Sequence, residues 1–111
     1  MDTNDALRAF AALGQRSRLD ALRLLVRAGP EGIAAGEIAR ALDQRQNTLS
    51  TNLAILRDAG LLHSARDGRS VRYAVDWLGV RGLIAFLMQD CCGGRPELCQ
   101  PVLDALVCQP R

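Results

Sequence analysis

Gln46-Asn47-Thr48-Leu49-Ser50-Thr51-Asn52-Leu53-Ala54-Ile55-Leu56-Arg57-Asp58-Ala59-Gly60 is the stretch that decides the fold. Leu49, Leu53 and Leu56 recur at helical spacing, so the segment reads as a helix with those leucines turned inward. Gln46, Asn47, Thr48, Ser50, Thr51, Asn52 and Arg57 then form its outward, polar face. Gly60 is the expected left-handed cap. Immediately afterwards the period shortens from about 3.6 to 2. Leu62, Ser64 and Arg66 lead into Asp67-Gly68, and Ser70-Val71-Arg72-Tyr73-Ala74-Val75 leads out. Asp-Gly between two alternating runs predicts a β-hairpin with positive φ at its turn.

Working outward, a short helix is expected over about 35–42, with Ile38 and Leu42 one turn apart. Before it, Ser17 is the expected cap of a helix whose apolar face is Leu19, Leu22, Leu25 and Val26, stopping at Gly29-Pro30. Thr3 or Asn4 caps a first helix carrying Leu7, Phe10 and Leu13. Beyond the hairpin, a fifth helix spans about 77–89 with Leu78, Leu83, Phe86 and Leu87, and a last short helix starts near Pro101. Two helices joined by a short turn, then a hairpin, is the order of a winged helix-turn-helix: a mainly α fold with a small β-hairpin. In such a fold the second helix of the pair enters the major groove and the hairpin lies along the backbone or minor groove. A chain of 111 residues suits one such domain over 1–111, with a cysteine segment at 90–111.

The charge distribution agrees with a DNA-facing middle third. Residues 44–72 carry five Arg against two acidic residues, whereas 1–43 balance and 73–111 carry an acidic excess of one. Basic charge concentrated there is what phosphate binding needs, although a solvated surface can carry the same residues. Arg66, Arg69 and Arg72 stand near the hairpin tip, where guanidinium groups can pair with phosphates. The short amides and hydroxyls of 46–52 can both donate to and accept from base edges. Double-stranded operator DNA is therefore the expected partner.

Cys91-Cys92-Gly93-Gly94-Arg95-Pro96-Glu97-Leu98-Cys99 is the most distinctive stretch. The glycines let the backbone fold back so that Cys99 approaches the adjacent pair. Three converging thiolates suit a soft thiophilic centre. Trivalent arsenic and antimony take three sulfurs in a pyramid, so As(III) or Sb(III) is the expected inducer, with no organic cofactor. Zinc or cadmium would ask for a fourth ligand, for which Cys108 is available. Redox or persulfide chemistry at the same thiols is the other reading.

The N-terminal residues lack the positive start and apolar run of a signal peptide, and the longest apolar stretch, 83–88, is too short to span a bilayer. A cytoplasmic protein without membrane contact is expected, and in that reducing compartment cysteines serve as ligands or redox thiols more often than as disulfides. An enzyme is disfavoured. A Cys-x5-Arg loop would need Arg at 97 or 98, where Glu97 and Leu98 stand, and the single histidine, His63, falls on a wing strand.

Ala12-Leu13-Gly14-Gln15-Arg16-Ser17-Arg18-Leu19, Gln46-Asn47-Thr48-Leu49-Ser50-Thr51-Asn52-Leu53 and Leu56-Arg57-Asp58-Ala59-Gly60-Leu61-Leu62 resemble the ArsR/SmtB family of bacterial metal-responsive repressors. The resemblance spans about residues 5–90 and implies a winged-helix homodimer joined through its first and fifth helices. Leu7, Phe10, Leu83, Phe86 and Leu87 also exceed what so short a chain is expected to hide. The third and fourth helices hold no Cys-x-Cys sensor and the fifth holds no paired histidines. A double cysteine plus a third after the fifth helix resembles arsenite-responsive members.

Overall fold

The computed structural model describes residues 1–89, 93 and 95–106. Among these described residues six α-helices and three strands follow in the order α1 (Thr3–Leu13), α2 (Arg16–Ala28), β1 (Ile33–Ala34), α3 (Ala35–Leu42), α4 (Gln46–Asp58), β2 (Leu62–Asp67), β3 (Ser70–Val75), α5 (Trp77–Leu87) and α6 (Pro96–Ala105). The strands form one antiparallel sheet in the order β1-β3-β2. This is the expected mainly α fold with a small hairpin, arranged as a winged helix-turn-helix.

Local chemistry accounts for the boundaries. Asp2, rather than Thr3 or Asn4, caps α1: its carboxylate accepts from the Asp5 backbone N–H at 2.7 Å while Asp5 accepts from Asp2. That reciprocal box satisfies two donors at once, which a lone hydroxyl does not. Gln15, rather than Ser17, caps α2 by accepting from the Arg18 N–H at 3.0 Å. α4 ends as expected, with Gly60 at φ +84° and the Leu61 N–H returning to the Leu56 carbonyl at 3.0 Å. Asp67 pairs with Ser70 across a two-residue loop, Gly68-Arg69, in which Gly68 supplies the positive φ. α6 begins at Pro96, not near Pro101. Proline at the first helical position has no N–H to leave unsatisfied, so it starts a helix well, and Pro101 is carried inside.

The core sits between α2, α3, α4 and the sheet, and Leu25, Ile38, Leu49, Leu53, Leu56, Leu61 and Leu62 are its largest fully buried side chains. Burying each contributes about 1.5–3 kcal/mol relative to exposure. α1 packs through its small side chains. It buries Ala6, Ala9 and Ala12, while Leu7 and Phe10 are exposed. Leu19 and Val26 of α2 and Leu78 and Leu87 of α5 also remain exposed, whereas Leu83 joins the core.

Candidate nucleic-acid interface

α4 presents Gln46, Asn47, Thr48, Ser50 and Thr51 to solvent along its N-terminal half, as a groove-reading helix must. The Thr51 hydroxyl donates to the Asn47 carbonyl at 3.1 Å, so its proton is committed to its own helix. Asn52 departs from expectation. It is 6% exposed, and its Oδ1 accepts from Arg18 Nη1 at 3.3 Å, so it cannot reach a base edge. The reason is its register: Leu49, Asn52, Leu53 and Leu56 share one helix face. Arg57, in the last turn, is exposed and lies 3.6 Å from Asp58.

The wing arginines divide into two kinds. Arg66 and Arg69 are exposed, and Arg69 occupies the loop itself. Arg72 is turned back into the protein: its Nη1 donates to the Gly32 carbonyl at 2.9 Å and the Glu31 carbonyl at 3.4 Å, and its Nε lies 3.5 Å from Asp67. It braces the root of the hairpin instead of reaching outward from its tip. Gly32 makes this possible, since a Cβ there would overlap the Tyr73 carbonyl and its φ is +70°. No other residue type lets the chain pass so close to β3.

Between α3, the start of α4 and the wing lies a cleft of about 410 Å³, and Gly36, Arg40, Gln46, Ser50 and Arg69 are among its lining residues. A Cβ on Gly36 would sit 3.5 Å from Gln46 Nε2 and 3.8 Å from Arg40 Nη1, so two side-chain donors converge over that glycine. Neither α3 nor α4 has a side-chain cap at its start, which leaves backbone N–H groups available to an anion. Glu37 is the acidic residue on the same wall. Arg40 and Gly36 were not singled out from the sequence. Their signal is the i, i+4 spacing on the helix just ahead of the reading helix.

Of the expected sulfur ligands, Cys91, Cys92 and Cys108 lie outside the described residues. Cys99 sits near the start of α6, partly buried, and is disulfide-bonded, where a reducing compartment leads one to expect a thiol. Arg95 pairs with Glu97 at 3.2 Å. Among the described residues no three His, Cys, Asp or Glu side chains come together as a metal site. His63 is exposed on β2. No described helix is long and apolar enough to cross a membrane.

Comparison with known proteins decides the class. A helix-turn-helix domain family matches residues 13–65. The HTH-type transcriptional regulator YgaV of Escherichia coli is 34% identical over 71 residues, covering 64% of this chain and 72% of that protein. The chain belongs to the helix-turn-helix transcriptional regulators. Solved structures place this regulator among winged helices. HlyU from Vibrio cholerae, also solved in its reduced form, matches with a TM-score of 0.64 and 28% identity over 83% of this chain and 99% of its own. The homodimeric winged helix-turn-helix domain of a possible ArsR-family regulator from Mycobacterium bovis matches with a TM-score of 0.64 over 96% of this chain and 89% of its own. At 24% identity that likeness is one of fold. Of these, YgaV is an HTH-type transcriptional regulator and the Mycobacterium bovis structure is a DNA-binding domain.

Proposed function

We propose that this regulator is a cytoplasmic, ArsR-like homodimeric repressor that holds operator DNA in its apo form and releases it on capturing As(III) or Sb(III). The observation that carries the DNA half is the cleft where Arg40, Gln46 and Arg69 converge beside the exposed face of α4. There the arginines and free helix N-termini take backbone phosphates, and Gln46, Asn47, Thr48, Ser50 and Thr51 face the bases. Arg66 meets the neighbouring phosphate, and Arg57 lies at the far end of the helix.

Dimerisation is supported by the exposed apolar side chains of α1 and α5, Leu7, Phe10, Leu78, Ile84 and Leu87, which a second copy would cover. Each wing-and-helix unit then reads one half of an inverted repeat. The inducer reading rests on Cys91, Cys92 and Cys99 as three soft donors, with Cys108 as a fourth for zinc or cadmium. The disulfide at Cys99 supports thiols close enough to share one ion, because it holds another sulfur against this one. It also favours a second reading, in which oxidation of the same thiols releases the DNA. Residues 1–111 act as one domain whose cysteine segment follows the DNA-reading part.

The test is retention of the DNA upstream of the chain's own reading frame, titrated with arsenite, antimonite, cadmium and zinc under strict reduction, and separately with a mild oxidant. Release by arsenite and antimonite under reduction supports the first reading. Release by oxidant alone supports the second.

A further inference from the structure

Arg18 and Asn52 make up the polar tie that crosses from α1 to α4. Arg18 Nε donates to the Ala12 carbonyl at 2.6 Å, and Arg18 Nη1 donates to Asn52 Oδ1 at 3.3 Å. Ala12 is in the last turn of α1, where carbonyls lack helical partners. Asn52 is buried in the middle of α4, and its Nδ2 has no partner. Among the described residues no carboxylate lies within ion-pair distance of Arg18. A partly buried guanidinium held only by two neutral oxygens is a costly arrangement for stability alone.

The apolar packing around it is thin. α1 meets its neighbours through Ala6, Ala9 and Ala12 with one larger side chain, Leu13, partly buried at its end, and beside Arg18 a cleft of about 320 Å³ lies open between Ala11, Ala12 and Ile55. Short side chains and an unfilled cleft leave the α1–α4 angle weakly specified, whereas two directed hydrogen bonds fix it. We infer that Arg18 and Asn52 are positioning residues, which set the angle of the reading helix against α1 and so couple the dimer-forming helix to DNA affinity. The inference rests on the DNA-binding reading above. Neither side chain touches DNA. Their effect passes through the placement of Gln46, Asn47 and Ser50.

Removing both partners together separates position from stability, because a buried polar pair replaced by apolar side chains of similar shape is close to neutral for folding. The experiment compares the wild-type chain with Arg18→Met/Asn52→Leu on a duplex that the wild type enriches from a random-sequence pool. The double variant should keep its urea midpoint and bind roughly 3- to 30-fold more weakly. Its sequence preference and salt slope should be unchanged, since no base or phosphate contact is lost. Wild-type affinity in the folded double variant would overturn the inference, and so would a preference altered at one base pair, which would make Asn52 a reader. Should the double variant unfold, Asn52→Asp keeps an oxygen for Arg18 and should hold affinity where Asn52→Ala loses it; equal loss in both overturns the inference. Failure of the wild type to enrich any duplex would overturn the DNA-binding reading and this inference with it.

Discussion

α4 and α6 are helices of 13 and 10 residues, and both carry leucines at helical spacing. Leu49, Leu53 and Leu56 of α4 are almost wholly buried, whereas α6 buries no residue and leaves Leu98, Val102 and Leu103 at least 43% exposed. The difference lies in what surrounds them. The apolar face of α4 is enclosed by α1, α2, α3 and β2, while among the described residues α6 makes no comparable set of contacts. An amphipathic pattern therefore says that a face is to be covered, and leaves open by what. The reading helix is held by its own chain. The cysteine-bearing end keeps an apolar face that the described residues leave exposed, which suits a segment of low local stability.

Five substitutions sharpen or break this contrast. Leu53→Ala should have the largest effect, lowering stability by about 2–5 kcal/mol in urea unfolding, because Leu53 is fully buried on the packed face of α4. Gly79→Ala comes next. A Cβ there would overlap the Gly60 carbonyl, so α5 must lift from the end of α4, at a cost of about 1–3 kcal/mol. An unchanged midpoint would mean that α5 is not seated on that turn. In the wing, Arg69→Ala should reduce the salt slope of DNA binding by about 0.9, the loss of one phosphate contact. Arg72→Ala should weaken binding at an unchanged slope, because Arg72 braces the hairpin instead of meeting phosphate. Equal slope changes in the two variants would return Arg72 to the DNA surface. Leu103→Ala should have the smallest effect, within about 0.5 kcal/mol of wild-type folding stability. A cost as large as that of Leu53 would show that α6 packs into the core after all.

Most of the fold was legible because its signals are local. The hairpin follows from Asp67-Gly68 between alternating runs, and the end of α4 follows from Gly60. β1 was missed because two residues carry no periodicity, and Ile33 and Ala34 are strand only through pairing with Tyr73 and Arg72. Leu7 and Phe10 were expected to exceed what the chain can hide and are exposed, whereas Ala6, Ala9 and Ala12, which α1 does bury, carry too weak an apolar signal to mark that face. Asn52 was open to detection. Positions 49, 52, 53 and 56 are one helical face, so a polar residue among three buried leucines marks an internal hydrogen bond. Arg72 could not be told from Arg69 by sequence, since the carbonyl that holds it belongs to Gly32, forty residues away. In the cysteine segment residue type and spacing suggest thiol chemistry, and Cys91, Cys92 and Cys108 lie outside the described residues.

The most direct measurement follows a labelled duplex selected by the wild type, bound to wild-type and Cys99→Ser chains under reductant, while arsenite is added. A serine hydroxyl is a poor substitute for a soft thiolate, so the variant should bind DNA as the wild type does and hold it through a titration that strips the wild type. Release of both chains at the same arsenite concentration would contradict the proposal that Cys99 is part of the sensor.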